Sequence, residues 1–380
     1  MKREDVELGI AFFLDGEEEK VIEKGVTYYP LRFPKHSWKE KAQAFICSAN
    51  TLIVNERKRI PLYEEIIRKP LEDFKPDVIM VFGSEMPFGL VAGITDIPVI
   101  LHIQGILNPY LNAYLPPFVS WKEYKSIGNG WKNRLHKRIE RKMWMVSCAR
   151  ETEICKRVMN YFGRTDWDYR VMQILHPGAN YLFASEVLRS VFYQPMERAL
   201  PDKLTIVTTI SSPLYKGYDL VLKTAKMLSE KGVFFEWKCY GNINPSIVEK
   251  QLAIKHEKVN VSLCGVASAE QLCDAICHAT VYVHTSYIDN SPNSLCEAQI
   301  LGCTPIATYV GGVPSLIKNG ETGYLVPAND PYQLAFLLED LFLNPEKNLA
   351  IGKAAKEVAV VRHNPNQIVD KLLNDLQSLL

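Results

Sequence analysis

Short apolar runs closed by glycine or polar residues, each followed by a helical stretch, recur along this chain and restrict its fold more than any other feature. "DVIMVFG" (Asp77–Gly83) and "PVILHIQG" (Pro98–Gly105) are continuously apolar rather than alternating. Runs of that kind suit parallel strands covered on both faces. "VELGIAFF" (Val6–Phe13) and "VTYYPLRF" (Val26–Phe33) read as two more strands, and a long amphipathic stretch around Ala42–Lys69 reads as helix. "MWMVSCA" (Met143–Ala149) reads as a further strand and Glu151–Asn160 as helix. A second series starts after "PMERALPDK". Its strands are "LTIVTTI" (Leu204–Ile210), "FFEWKCYG" (Phe234–Gly241), "VNVSLCG" (Val259–Gly265), "TVYVHTS" (Thr280–Ser286) and "TPIATYV" (Thr304–Val310). Helical patterns separate them, among them one ending at Leu228 and "SAEQLCDAICHA" (Ser268–Ala279). Alternation of this kind implies right-handed crossovers and doubly wound α/β sheets.

A chain of 380 residues suits two such domains. The pattern breaks near Tyr193–Asp202, where prolines and charges interrupt it. The expected division is an N-terminal domain over 1–195, a C-terminal domain over 196–362, and a last helix over 363–380 packing back toward the first domain. That helix, "NPNQIVDKLLNDLQSLL", is amphipathic and opens on an Asn cap signal. Ligands of open α/β sheets bind outside the carboxyl ends of the strands, so two facing domains predict one central cleft as the site.

Composition narrows the function classes. Hydrophobic content of 47% and charged content of 23% exclude disordered and collagen-like chains. Net charge is 44 − 43 = +1, so no global field points to nucleic acid. Nine cysteines without CxxC or Cys/His ligand spacing read as reduced thiols of a cytoplasmic protein, with no metal site. No apolar run approaches the roughly 20 residues that span a bilayer. Asp5 and Glu7 interrupt the start in a way a signal peptide does not.

The stretch "DNSPNSLCEAQILGCTPIATYVGGVPSLIKNGETGYLVP" (Asp289–Pro327) concentrates the chemistry. Asp289 lies in a loop after a strand, and Glu297 lies eight positions on, inside the next helix. Pro292 suits the first helical position. The amides of Asn293, Ser294 and Leu295 then form unpaired donors at a positive helix end, apt for a phosphate. The two acids can address different parts of one extended ligand with the phosphate site between them. Gly311–Gly312 can bring backbone amides near a ligand because no Cβ intervenes. "NGETGYLVP" turns tightly before a last short strand. Singly these features have plain explanations, since acids favour helix starts for dipole reasons. The combination at these spacings is far more specific.

It resembles the donor-binding segment of GT-B glycosyltransferases of the large retaining family 4 type. The resemblance rests on Asp289 and Glu297 at the family's spacing, followed by Ala298, Gly302, Pro305, Ala307, Gly311, Gly312, Pro314, Gly320, Thr322, Gly323 and Leu325. It is strong over Leu204–Pro327 and weaker through the first half, where "GRTDWDYR" (Gly163–Arg170) and "NYLFASEVLRSVFY" (Asn180–Tyr193) look like bacterial polysaccharide-assembly members.

The resemblance implies two Rossmann-like domains facing a cleft and a retaining, metal-independent transfer of a sugar from a nucleotide-diphospho-sugar, with no cofactor. The acceptor would be a saccharide or lipid-linked saccharide of polysaccharide biosynthesis. It assigns Asp289 to the donor sugar hydroxyls and Glu297 to the ribose, with the Asn293, Ser294 and Leu295 amides on the diphosphate. Lys216, in "YKGYDL", would neutralise that diphosphate. Val266 would face the base, Gly241, Gly311 and Gly312 would line the donor, and His102 would stand near the transferred sugar. A plain core role for His102 and a solvated role for Lys216 stay open.

Two departures from the family pattern stand out. The family usually has an arginine shortly before the lysine; "TISSPLYKG" offers Ser211 and Ser212 instead. A neutral donor makes a contact about half as strong as a charged one. The chain also opens on what resembles the family's second strand, without the first strand and glycine loop, which implies an internal start: a misassigned initiation codon, a truncation or gene decay. The first sheet is then expected to lose pairing partners. "SWKEYKSIGNGWKNRLHKRIERKMWM" (Ser120–Met145) is basic with interleaved aromatics. Trp121 and Trp131 at a lipid interface, with the cations on anionic headgroups, would give peripheral contact at the inner face of the membrane; a solvated helix face is the plain alternative. A non-catalytic GT-B relative that binds nucleotide sugar or a protein partner is the competing function, and a GT-B epimerase a third.

Overall fold

In the computed structural model, residues 6–16, 19–126, 131–194, 198–211 and 214–380 are described. The first strand, β1 (Leu8–Phe13), pairs in parallel with β3 (Val26–Leu31), which also pairs antiparallel with the short β2 (Val21–Glu23). Two helices follow, α1 (Trp38–Ile46) and α2 (Ala49–Phe74). They replace the single helix expected over Ala42–Lys69. Ser48 accepts from the Thr51 N–H and so starts a new helix after the break at Cys47.

A second sheet is parallel in the order β4 (Ile79–Phe82), β5 (Val99–His102), β6 (Asn160–Gly163), β7 (Asn180–Phe183). Between β5 and β7 lie α3 (Leu107–Asn112), α4 (Trp121–Ser126), α5 (Trp131–Cys155) and α6 (Asp166–Leu175). The strand expected at Met143–Ala149 is instead the middle of α5, with Val146 and Cys148 buried. A short apolar run inside a long helix has no period long enough to tell the two apart. The helix expected over Glu151–Asn160 ends at Cys155, and Asn160 opens β6.

Among the described residues no strand joins the two N-terminal sheets. β1 has only β3 as neighbour and β4 has only β5. Their free edges leave Leu8 and Phe82 exposed.

The third sheet has six parallel strands. Its members are β8 (Leu204–Thr209), β9 (Phe235–Tyr240), β10 (Val261–Gly265), β11 (Val281–His284), β12 (Pro305–Thr308) and β13 (Tyr324–Val326), ordered β10-β9-β8-β11-β12-β13. Helices α7 (Tyr218–Glu230), α8 (Ser246–Leu252), α9 (Ala269–Cys277), α10 (Asn293–Ile300), α11 (Pro331–Leu343) and α12 (Pro345–Arg362) cover it. One face buries Leu204, Ile206, Trp237 and Val281 against α7 and α11. The other buries Val207, Tyr282, Leu295 and Ala298 against α9 and α10.

Strand order reverses between β8 and β11. A crevice at such a switch point is where an open sheet takes its ligand. The loops leaving these two strands carry Lys216 and Asp289.

The chain returns at its end to the N-terminal side. Asn364 caps α13 (Pro365–Gln377) by accepting from the Asn366 and Gln367 N–H groups. Leu372 and Leu376 of α13 then pack on Ile100 of β5 and Phe162 of β6.

Candidate functional site

Asp289 follows β11 and is buried, with 7% of its surface exposed. A lone buried carboxylate is costly, and this one is held from several sides. Lys216 Nζ lies 2.7 Å from Oδ2, His284 Nε2 lies 3.1 Å from it, and Ser286 Oγ donates to it at 3.2 Å. Burial works to raise the carboxyl, but Lys216 and His284 outweigh it and hold it well below the usual carboxylate range. The same pairing raises Lys216 against its own burial. The other oxygen, Oδ1, accepts from the Asn290 N–H at 3.2 Å and meets the Tyr110 hydroxyl at 3.5 Å. Oδ1 is therefore the freer oxygen of a carboxylate fixed in place.

Helix α10 opens beside it. Pro292 is the N-cap rather than the first helical residue, and no side chain caps the helix. No described residue accepts from the Asn293 or Ser294 N–H, so these two donors are unpaired at the start of the helix. Leu295 corrects the reading: its N–H donates to Pro292 O at 3.0 Å and is not free. The tight first turn, which a proline carbonyl makes available, takes that donor back.

Glu297 lies one turn into α10 and is 1% exposed. Arg189, in the segment between β7 and β8, grips it with two parallel bonds of 2.7 Å. Both acids of the motif are thus balanced by cations from elsewhere in the chain.

The glycines serve packing. A Cβ on Gly311, at φ +49°, would lie 1.9 Å from Asp289 O. One on Gly312 would lie 2.4 Å from Asn290 O and 2.6 Å from Thr165 Oγ1, and the Gly312 N–H is spent on Asp289 O. The Gly-Gly turn therefore lets the β12 loop close on the Asp289 loop, instead of offering the Gly312 amide to a ligand. Gly241, at φ +126°, is likewise pressed on Ile210 O and donates to Gly265 O. Val266 is 80% exposed after β10, at a polar recess it shares with Lys238, Tyr240 and Gln271.

His102 ends β5 and is 3% exposed. Its Nδ1 lies 2.6 Å from Gln104 Nε2, and burial, then the nearby Arg164 charge, push its pKa down to about 4. It is a neutral imidazole at pH 7, on the N-terminal wall of the crevice.

Other residues of this site were not read from the sequence. The loop from β6 to α6 crosses to the C-terminal sheet. Thr165 Oγ1 donates to Asn290 Oδ1 at 2.8 Å, and Asn290 Nδ2 donates to Asp168 Oδ2 at 3.0 Å. An aromatic cluster that includes Tyr110, Tyr114, Trp167 and Tyr215 packs across the same crevice. Ser211 is exposed, while Ser212 lies outside the described residues.

On the basic stretch, Trp121 is half-buried and stacks on Tyr114 at 5.3 Å, so it is not a free lipid anchor. Trp131 is 71% exposed. Positions 127–130 fall outside the described residues. Among the described residues no helix is long and apolar enough to cross a membrane, and no group of three His, Cys, Asp or Glu is arranged to hold a metal ion.

Residues 196–358 match the family "Glycosyl transferases group 1". The chain is 38% identical over 86 residues to a D-inositol 3-phosphate glycosyltransferase of Streptomyces coelicolor, covering 23% of this chain and 19% of that protein. It is 26% identical over 186 residues to the putative colanic acid biosynthesis glycosyltransferase WcaL of Escherichia coli, covering 47% and 45%. The chain thus spans about a fifth to under a half of these curated relatives' lengths. Among solved structures, HepE of Anabaena in complex with UDP superposes with a TM-score of 0.62 at 15% identity, covering 84% of this chain and 82% of HepE. Sucrose-phosphate synthase of Thermosynechococcus elongatus superposes at 0.66 and 14%, covering 97% and 88%.

Proposed function

We propose that this chain, whose residues 196–358 form a Glycosyl transferases group 1 domain in a GT-B fold, transfers a sugar from a nucleotide-diphospho-sugar to a saccharide or lipid-linked saccharide. One observation carries the reading. Lys216 is paired with Asp289 in the loop after β11, and the helix that follows this loop opens on the unpaired Asn293 and Ser294 amides and carries Glu297 one turn on. In this reading the diphosphate lies on the amides and Lys216, the donor sugar reaches Asp289 Oδ1, and the ribose takes a share of Glu297.

The chemistry follows from the charges. Glycosyl transfer passes through an oxocarbenium-like state while negative charge builds on the departing diphosphate. A lysine and two helix-end amides already fixed at that place stabilise the charge without reorganising, and no metal is required. Retention follows from attack on the face the diphosphate leaves, with the leaving phosphate taking the acceptor's proton. Asp289 orients the sugar and is not the nucleophile. Its pairing with Lys216 leaves it anionic but spoken for. The exposed Trp131 and the cations of α5 supply peripheral contact with an anionic membrane, testable by vesicle co-sedimentation after Lys and Arg to Gln changes.

A second reading has an observation in its favour. Both acids are neutralised internally, Asp289 by Lys216 and Glu297 by Arg189. A non-catalytic relative that only binds nucleotide sugar or a protein partner would tolerate this. Thermal stabilisation by UDP, GDP, ADP and CMP sugars, followed by release of nucleotide with and without added acceptor, separates the two. Stabilisation by one base with acceptor-dependent release supports transfer. Stabilisation with no release under any acceptor supports binding alone.

A further inference from the structure

Arg164 sits immediately after β6, in the loop that crosses to the C-terminal sheet, and is 6% exposed. A buried guanidinium is normally saturated, because each unpaired N–H forfeits its hydration. Arg164 is not saturated. Nη1 is paired with Glu186 and reaches Asn293 Oδ1 only at 3.4 Å; Nη2 donates to Gln104 O at 3.1 Å; Nε has no partner. Asn293 is the first residue of α10, is itself exposed, and has a free backbone N–H. A fixed cation from the N-terminal wall therefore points at the helix end that Lys216 approaches from the C-terminal side. The segment before Lys216 supplies no cation among its described residues; Ser211 there is neutral.

We propose that Arg164 is the second cation of the diphosphate site, with its guanidinium contacting the leaving phosphate from the domain opposite Lys216. A planar fork suits phosphate oxygens, and displacing the long Asn293 contact costs little. Glu186 sets the strength of the contact, since its carboxylate competes with phosphate for Nη1. The diphosphate then ties the two domains together, joining the bridge already made by Thr165 and Asn290. This inference rests on the donor-site reading above.

The test is titration of the full chain with UDP, GDP and ADP, and for the base that binds, with its monophosphate and nucleoside. Arg164→Gln is expected to weaken the diphosphate by about tenfold or more, the size of one charge-assisted contact, and to leave the nucleoside unchanged. Arg164→Lys is expected to restore part of the loss. Glu186→Gln, which keeps the arginine and removes its competitor, is expected to tighten diphosphate binding, and it answers the question if Arg164→Gln fails to fold. Equal losses for nucleoside and diphosphate in Arg164→Gln, or unchanged or weaker diphosphate binding in Glu186→Gln, would overturn the assignment. Glu297→Ala, expected to weaken nucleoside and diphosphate alike, separates the failures. If Glu297→Ala acts and Arg164→Gln does not, only Arg164 is wrong. If no nucleotide binds the native chain, both readings fall.

Discussion

Arg189 grips Glu297 through Nε and Nη2, each 2.7 Å from a different carboxylate oxygen, so the acid that the ribose would use is already held by the segment joining the two domains. Ribose hydroxyls can share those oxygens or displace the guanidinium. Arg189 is about half exposed and Glu297 is not, so the pair is asymmetric. Removing the arginine leaves a buried carboxylate without a cation. Arg189→Ala is therefore expected to lower unfolding stability by about 2 kcal/mol, discounted for the solvated partner. The freed carboxylate is expected to enlarge the stabilisation that nucleotide produces. Denaturant melts with and without nucleotide check both signs; a smaller nucleotide effect would mean Arg189 helps to hold the ligand.

Lys216 is the main cation of the buried Asp289 carboxylate and, in the proposed transfer, also faces the departing diphosphate, so its loss is expected to lower both stability and rate. Lys216→Met removes the charge that, in the proposed transfer, meets the departing diphosphate, and turnover is expected to fall roughly a hundred- to a thousandfold, as when one preorganised electrostatic partner is lost. Lys216→Arg keeps the charge and is expected to fall less. Initial rates of nucleotide release at saturating donor check this. A Lys216→Met chain that turns over within a factor of about three of the native one would remove the lysine from the proposed mechanism.

Gly311 tests the packing of the Asp289 loop directly. Its φ of +49° lies in the left-handed region, and a Cβ there would overlap Asp289 O. Neither the backbone carbonyl nor the turn can give way cheaply. Gly311→Ala is expected to cost about 3 kcal/mol or more, combining backbone strain with overpacking. The measurement is the denaturant midpoint at constant slope. An unchanged midpoint would show that the loop relaxes and that Asp289 is held less firmly than its neighbours suggest.

The sequence made β8, β11 and β12 of the C-terminal sheet legible because each is a short run covered on both faces, as β11 shows with four buried residues. It also placed Asp289 and Glu297 on either side of a helix start, because eight residues of α10 and its entry loop set that geometry locally. Arg164, Thr165 and Arg189 were written in quoted segments, yet nothing local marks them. Thr165 meets Asn290 across 125 positions and Arg189 meets Glu297 across 108, and no period or spacing encodes such a meeting. Gly312 misled for the same reason. A glycine announces close approach but does not say whether ligand or backbone approaches, and here it is Asn290 O and Thr165. β6 (NYFG) and β7 (NYLF) each offer only two or three apolar residues after a polar one, whereas the equally short β4 and β5 lie inside longer apolar runs.

Two buried histidines give the fold an acid limit. His102 and His363 are 3% and 2% exposed, and each is pushed down to a pKa of about 4. Burial is the main cause for both. Arg164 adds to it at His102. At His363 the Glu186 carbonyl partly opposes it, with Arg362 and Arg164 nearby. The unfolded chain protonates both near pH 6.5. Between about pH 6.5 and 4 the unfolded state therefore binds more protons than the folded one, and stability rises with pH across that window. Acidification from pH 7 to 4 is expected to remove about 3 kcal/mol per histidine. His363→Gln should flatten the dependence by about half, because glutamine carries no titrating proton. Urea melts at pH 4.5, 5.5, 6.5 and 7.5 read it directly. Parallel pH profiles for native and His363→Gln chains would mean that this imidazole protonates in place, which its burial between Ser185 and the Glu186 carbonyl argues against.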